Sequence, residues 1–173
     1  MRIYEGQIPM IAEEMVRSLI RANELEVAPE NIPEVEIDVQ SVLREYLRTE
    51  REISDAAREL SSRVGSAEPG GLARIKRQIA RDRNFKTGEE SVEYIIDQLI
   101  EMFFHSVHVE EVFAADTELR KRIAPILKRY MSVEEELDRE VRSKIRNLDE
   151  DSKAWEIEYQ KVMSTLKRKK NLE

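Results

Sequence analysis

The chain has 173 residues, with 36 Asp and Glu against 29 Lys and Arg, and a formal net charge of −7. Cysteine is absent and histidine occurs twice, which removes disulfides, zinc–thiolate sites, iron–sulfur clusters and thiol nucleophiles and leaves little for imidazole chemistry. Charged residues reach 38% while apolar residues still reach 40%, a mixture that excludes a disordered tail and suits long helices with one apolar stripe; five Gly and five Pro are too few for an all-β chain.

Met1-Arg2-Ile3-Tyr4-Glu5-Gly6 leads straight into an amphipathic segment, so no secretory leader is expected. Apolar runs such as Tyr94-Ile95-Ile96 and Met102-Phe103-Phe104 fall far short of the ~20 residues that span a bilayer, and the expected location is the cytoplasm. Ile8, Ile11, Ala12, Met15, Val16, Leu19 and Ile20 recur at three- and four-residue steps and predict a first helix with Pro9 in its opening turn. Residues 25–32 read as a loop, with a short extended piece at Leu25-Glu26-Val27. A long helix is expected from about Pro33 to Val64, stopped by Gly65 and Pro69-Gly70-Gly71. Leu72, Ile75 and Ile79 mark a shorter third helix that ends before Asn84.

The pattern then restarts. Adding 84 carries Leu43, Tyr46, Glu50 and Glu52 onto Leu127, Tyr130, Glu134 and Glu136, and carries Ile11, Met15, Leu19 and Ile20 onto Ile95, Leu99, Phe103 and Phe104. Asp116-Thr117-Glu118 offers an N-cap for the second long helix, with Pro125 able to kink it or mark its first turn, and Trp155, Tyr159, Val162, Met163 and Leu166 supply its short partner. One offset covering two consecutive helices predicts an internal duplication, residues 1–84 and 85–173, in one domain. The expected fold is all-α: two tandem three-helix units, short–long–short, related by a pseudo-twofold, with the long helices forming an antiparallel spine.

Three stretches carry a family likeness: Ile8-Pro9-Met10-Ile11-Ala12-Glu13-Glu14, Leu43-Arg44-Glu45-Tyr46-Leu47-Arg48-Thr49-Glu50-Arg51-Glu52-Ile53, and Ala154-Trp155-Glu156-Ile157-Glu158-Tyr159-Gln160-Lys161-Val162-Met163. With Glu110-Glu111-Val112-Phe113-Ala114, they resemble the bacterial family called domain of unknown function 507. The resemblance extends over essentially the whole chain and implies a bacterial, cytoplasmic protein. It brings no activity and no functional residues.

Two features carry possible chemistry. In the first long helix Val39, Leu43, Tyr46, Ile53, Ala57, Leu60 and Val64 form a seam whose one vacancy is Glu50; Ile123, Leu127, Tyr130, Leu137, Val141 and Leu148 leave the matching vacancy at Glu134. A carboxylate in an apolar seam needs a partner, so Glu50 and Glu134 either fix register, with Arg partners from the short helices, or share a proton or metal near the axis. Positive charge gathers in two corresponding places. Residues 71–86 hold Arg74, Lys76, Arg77, Arg81, Arg83 and Lys86 against Asp82, and residues 161–172 hold Lys161, Lys167, Arg168, Lys169 and Lys170. Each segment is net +5, so the remainder carries −17.

His105 and His108 fall where a helix ends and are not expected to hold a metal. Glycine-rich phosphate loops and nucleophile elbows are missing, so no catalytic residue and no cofactor is assigned. The expected function is a non-catalytic protein-interaction or scaffold module whose partner is a protein, a second copy included. The alternative is a nucleic-acid-associated protein using the basic helices 71–86 and 161–170.

Overall fold

The computed structural model describes residues 1–65 and 70–173. Helix α1 (Ile8–Arg21) opens with Pro9 in its first turn and buries Ile8, Ile11, Ala12, Met15, Val16 and Leu19 along one stripe. A turn through Asn23, at φ 56°, leads into β1 (Leu25–Glu26). Helix α2 (Ile32–Val64) ends at Gly65, whose left-handed φ of 64° suits a residue without a Cβ. Pro69, expected to help stop α2, lies outside the described residues. Helix α3 (Gly71–Asp82) takes Gly71 as its first residue rather than leaving it in the turn.

Helix α4 (Ser91–His105) is followed by β2 (Glu111–Val112), which pairs antiparallel with β1 so that Leu25 faces Val112 and Glu26 faces Glu111. Helix α5 (Asp116–Met131) starts one residue earlier than expected: Ala115, not Asp116, precedes the first turn, and its N–H donates to Glu118 Oε2 at 3.0 Å. Pro125 sits inside α5 without ending it. The second long helix breaks at Ser132 and resumes as α6 (Val133–Lys144). Helix α7 (Lys153–Lys169) is capped by Ser152, whose Oγ accepts the Trp155 N–H at 3.1 Å.

The break at Ser132 has a visible cause. In an unbroken helix the carbonyls of Tyr130 and Met131 would accept from residues four positions on. Here the Tyr130 carbonyl takes the Gln7 side-chain amide at 3.2 Å and the Met131 carbonyl takes the Arg2 N–H at 3.1 Å. The N-terminal segment therefore docks where the helix is interrupted. Gln7 is buried and fully engaged, because its Oε1 also accepts the Tyr4 N–H at 3.1 Å.

The long helices do not form the expected spine. Helix α1 packs against α2 and α5, and α4 packs against the same two, so α1 and α4 stand between the long elements. The reason is the distribution of apolar surface. Helix α4 buries Val92, Ile95, Ile96, Leu99, Ile100 and Phe103, a wider face than α2 offers over twice the length. At ~1.5–3 kcal/mol per large side chain removed from water, the most apolar helices take the centre. The main core joins residues of α1, α2, α4 and α5, while a second cluster lies between α6 and α7 around Leu137, Val141, Ile145, Met163 and Leu166. Tyr4 and Leu172 complete that second cluster.

Two seam positions depart from expectation. Leu60 is 44% exposed and Val64 68% exposed, and Leu72 on α3 is 44% exposed. Ala57 is the last buried residue of α2, and its end runs on past the core beside α3. Tyr46 and Tyr130 also differ in their surroundings. Tyr46 stacks on Phe85 at 4.8 Å and donates to the Lys86 carbonyl at 3.1 Å; Tyr130 donates to Glu14 at 2.9 Å beneath the Arg129 guanidinium.

Candidate functional site

Leu47, Arg51, Ser54 and Arg58 step along α2 by four, three and four residues, with Glu50 next to Arg51, so one side of that helix forms a continuous wall. The N-terminal segment, Lys76 of α3, Glu134 of α6, Lys167 of α7 and the C-terminal Leu172 and Glu173 supply the other walls. Together they enclose an open cleft of about 670 Å³. Glu50 and Glu134 are thus brought into the same cleft, both half-buried. The expected arginine partners are not there: neither carboxylate has an ion pair within 4 Å among the described residues. Glu134 lies in the first turn of α6, where the helix dipole favours a negative charge.

Tyr4 forms part of the cleft wall and is 6% exposed. Its ring lies between the Arg2 guanidinium, 5.4 Å from the ring centre, and the Lys167 ammonium, at 5.2 Å. Its hydroxyl is out of reach of solvent and has no hydrogen-bond partner among the described residues. Burial first, and the Glu134 charge second, push its pKa up to about 12, so it remains a proton donor across ordinary pH. Arg2, Arg51, Lys76 and Lys167 all line the cleft, and none has an ion pair within 4 Å among the described residues.

Most other cations are neutralised. Arg122 grips Glu24 through two hydrogen bonds of 2.7 and 2.8 Å, Arg44 reaches Glu5 at 2.8 Å, and Arg120 joins Asp116, Glu93 and Asp97. Of the basic segments, Arg83 lies 3.8 Å from Glu52, Lys86 3.3 Å from Glu90 and Lys170 3.6 Å from Glu140. Arg74 is exposed on α3. Arg77 and Arg81 border a separate hollow beside Phe85, while Arg168 and Lys169 are exposed at the end of α7. Only Lys76 and Lys167, one from each segment, meet in the cleft.

His105 closes α4 and is exposed, and no group of three or more His, Asp or Glu suited to a metal occurs among the described residues. Sequence reasoning passed over Tyr4, Arg2 and Arg51. Arg51 had a usable signal, four residues after Leu47 and next to Glu50. Tyr4 and Arg2 had none, because their place depends on docking at the Ser132 break.

These features define a mostly helical protein with a charged cleft between its N-terminal segment and four helices. No described helix is long and apolar enough to cross a membrane. The chain belongs to the family described as protein of unknown function (DUF507), which matches residues 1–172. No curated protein matches the chain.

Proposed function

We propose that this protein is a non-catalytic interaction module that docks an acidic protein through the α2–α3 hairpin. The observation that carries the reading is the exposed apolar end of that hairpin, Leu60, Val64 and Leu72, with Arg77 and Arg81 unpaired on α3 among the described residues. Contiguous exposed apolar side chains rimmed by charge mark association surfaces. The experiment is affinity capture with the wild-type chain and with the Leu60→Glu/Leu72→Glu variant, both checked for unchanged helicity. The reading expects defined proteins that co-purify with the wild type alone; the same set on both baits overturns it.

Under this proposal the module arose by duplication of one unit, 1–84 and 85–173. Two pairs of observations support that. Helix α1 packs on α5 as α4 packs on α2, and β1 after α1 pairs with β2 after α4. Glu50 and Glu134, equivalent by the same offset, then line one cleft from two sides.

A nucleic-acid role is the second reading, favoured by the exposed, unpaired Arg77, Arg81, Arg168 and Lys169. Gel shifts over a salt series test it: phosphate contacts predict binding at low salt that falls steeply as salt rises, and no binding at low salt removes it.

A further inference from the structure

We propose that copies of this chain associate head to tail, the α2–α3 hairpin of one copy docking on the acidic end of the next. This rests on the hairpin being a docking surface and names the acidic protein it takes. Residues 22–43 hold six acids and residues 87–119 hold nine, and neither stretch contains a Lys or Arg. The fold brings the two stretches together: β1 pairs with β2, α2 packs on α4, and the Ser106 hydroxyl donates to Asp38 at 2.6 Å. Lys86, Arg120 and Arg122 reach in from outside and engage Glu90, Glu93, Asp97, Asp116 and Glu24. The other ten acids have no ion pair within 4 Å among the described residues, so this end keeps a large negative excess.

The acidic end also exposes apolar side chains. Ile37, Phe104, Val107 and Phe113, from 50% to 91% exposed, all belong to the two base-free stretches. Ile37 adjoins Asp38, and Phe104 and Val107 lie on either side of Ser106 in sequence. The hairpin offers the complement: Leu60, Val64 and Leu72, with net +5 over residues 71–86. Seven of the ten large apolar side chains exposed among the described residues thus fall in two places of opposite charge. Apolar side chains set among complementary charges favour association and fix which surfaces meet. One copy cannot join its own two surfaces, because Ile37 and Leu60 are 23 residues apart on α2, or ~35 Å at 1.5 Å per residue. Two hairpins face to face would oppose like charges, which excludes a two-fold pair through that surface. A contact between unlike surfaces repeats from copy to copy, closing into a ring or growing with concentration.

Sedimentation velocity of the full chain over a concentration series tests this. The wild type should sediment above the monomer as concentration rises, and return to monomer in about 0.5 M NaCl, which screens the charges. Leu60→Glu/Leu72→Glu and Phe104→Lys/Val107→Lys, checked for unchanged helicity, should each weaken association about tenfold or more. Glu101→Lys/Glu110→Lys, which keeps the apolar side chains, should weaken it too. Mixed in equal amounts, the hairpin variant and the Phe104→Lys/Val107→Lys variant should associate again, since each retains the surface the other has lost. Ile157→Glu, 67% exposed on α7 and part of neither surface, should associate as the wild type does. A wild type that stays monomeric overturns the proposal, as does a Phe104→Lys/Val107→Lys variant that associates undiminished or a mixture that stays monomeric. A monomeric wild type whose hairpin still captures other proteins overturns this inference alone and leaves the docking role standing.

Discussion

Replacing Tyr4 by Phe should stabilise the protein, the reverse of the usual outcome for a buried tyrosine. Tyr4 is 6% exposed, and its hydroxyl has neither solvent nor a partner among the described residues. A buried polar group left unsatisfied costs ~1–3 kcal/mol, and Phe removes that cost while keeping the ring. The ring still packs on the α6–α7 cluster and still offers its faces to Arg2 and Lys167. The expected gain is ~1 kcal/mol, or roughly 2–4 °C in Tm for a domain of this size. Guanidinium denaturation measures it, with an unchanged slope showing that the same surface is exposed on unfolding. Tyr46→Phe is the contrast. Its hydroxyl donates to the Lys86 carbonyl at 3.1 Å, so its loss should cost ~1 kcal/mol. A loss of ~1 kcal/mol or more in Tyr4→Phe would mean that the hydroxyl has a partner, and the reasoning about the cleft wall would fail with it.

Three further outcomes follow from the packing and the charges. Gly6→Ala places a Cβ 1.8 Å from the Asn171 carbonyl oxygen, so backbone must shift and denaturation should register a loss of ~1–3 kcal/mol. Ile53→Ala should cost ~2–5 kcal/mol, whereas Leu60→Ala, in the same seam, should change stability by no more than ~0.5 kcal/mol. Stability should be lost at both ends of the pH scale. Tyr4 and Tyr159 are raised to about 12 in the folded state, chiefly by burial, so their contribution is intact below pH 10 and lost as pH rises from 10 through 12. The Arg129 hydrogen bond holds the Glu14 carboxyl below its usual range and the Tyr159 hydroxyl does the same for Asp138, so that contribution is present above about pH 4 and fades as pH falls through the lowered values. Circular dichroism across pH, with tyrosinate absorbance followed at the alkaline end, reads both.

Helix positions were legible because their signals are local. Pro9 and Pro33 sit in first turns, Gly65 ends α2, and the stripe of α1 is buried as its spacing predicts. What the spacing could not convey is which partner covers a stripe. Leu60 and Val64 continue the period of α2 perfectly well, yet they lie past the last core residue of the helices beside them. Likewise Leu127, Tyr130 and Leu137 keep step across Ser132, while the interruption comes from Gln7 and Arg2, more than a hundred residues away in sequence. The candidate site shows the same division. Glu50 and Glu134 stand out as polar vacancies in apolar seams, but the hydroxyl of Tyr4 beside them is a product of tertiary packing alone.

The account rests on Glu50 and Glu134, far apart in sequence, facing one cleft. The cysteine-free chain allows a direct measurement: install Glu50→Cys and Glu134→Cys as the only thiols and treat the folded protein with a short bismaleimide. Glu26→Cys/Glu111→Cys, exposed partners across the strand pair, is the positive control. Efficient intramolecular cross-linking of the 50/134 pair in the native state, lost in denaturant, is the predicted result. A 50/134 pair that stays unlinked in native protein, while the 26/111 pair links, would contradict the account.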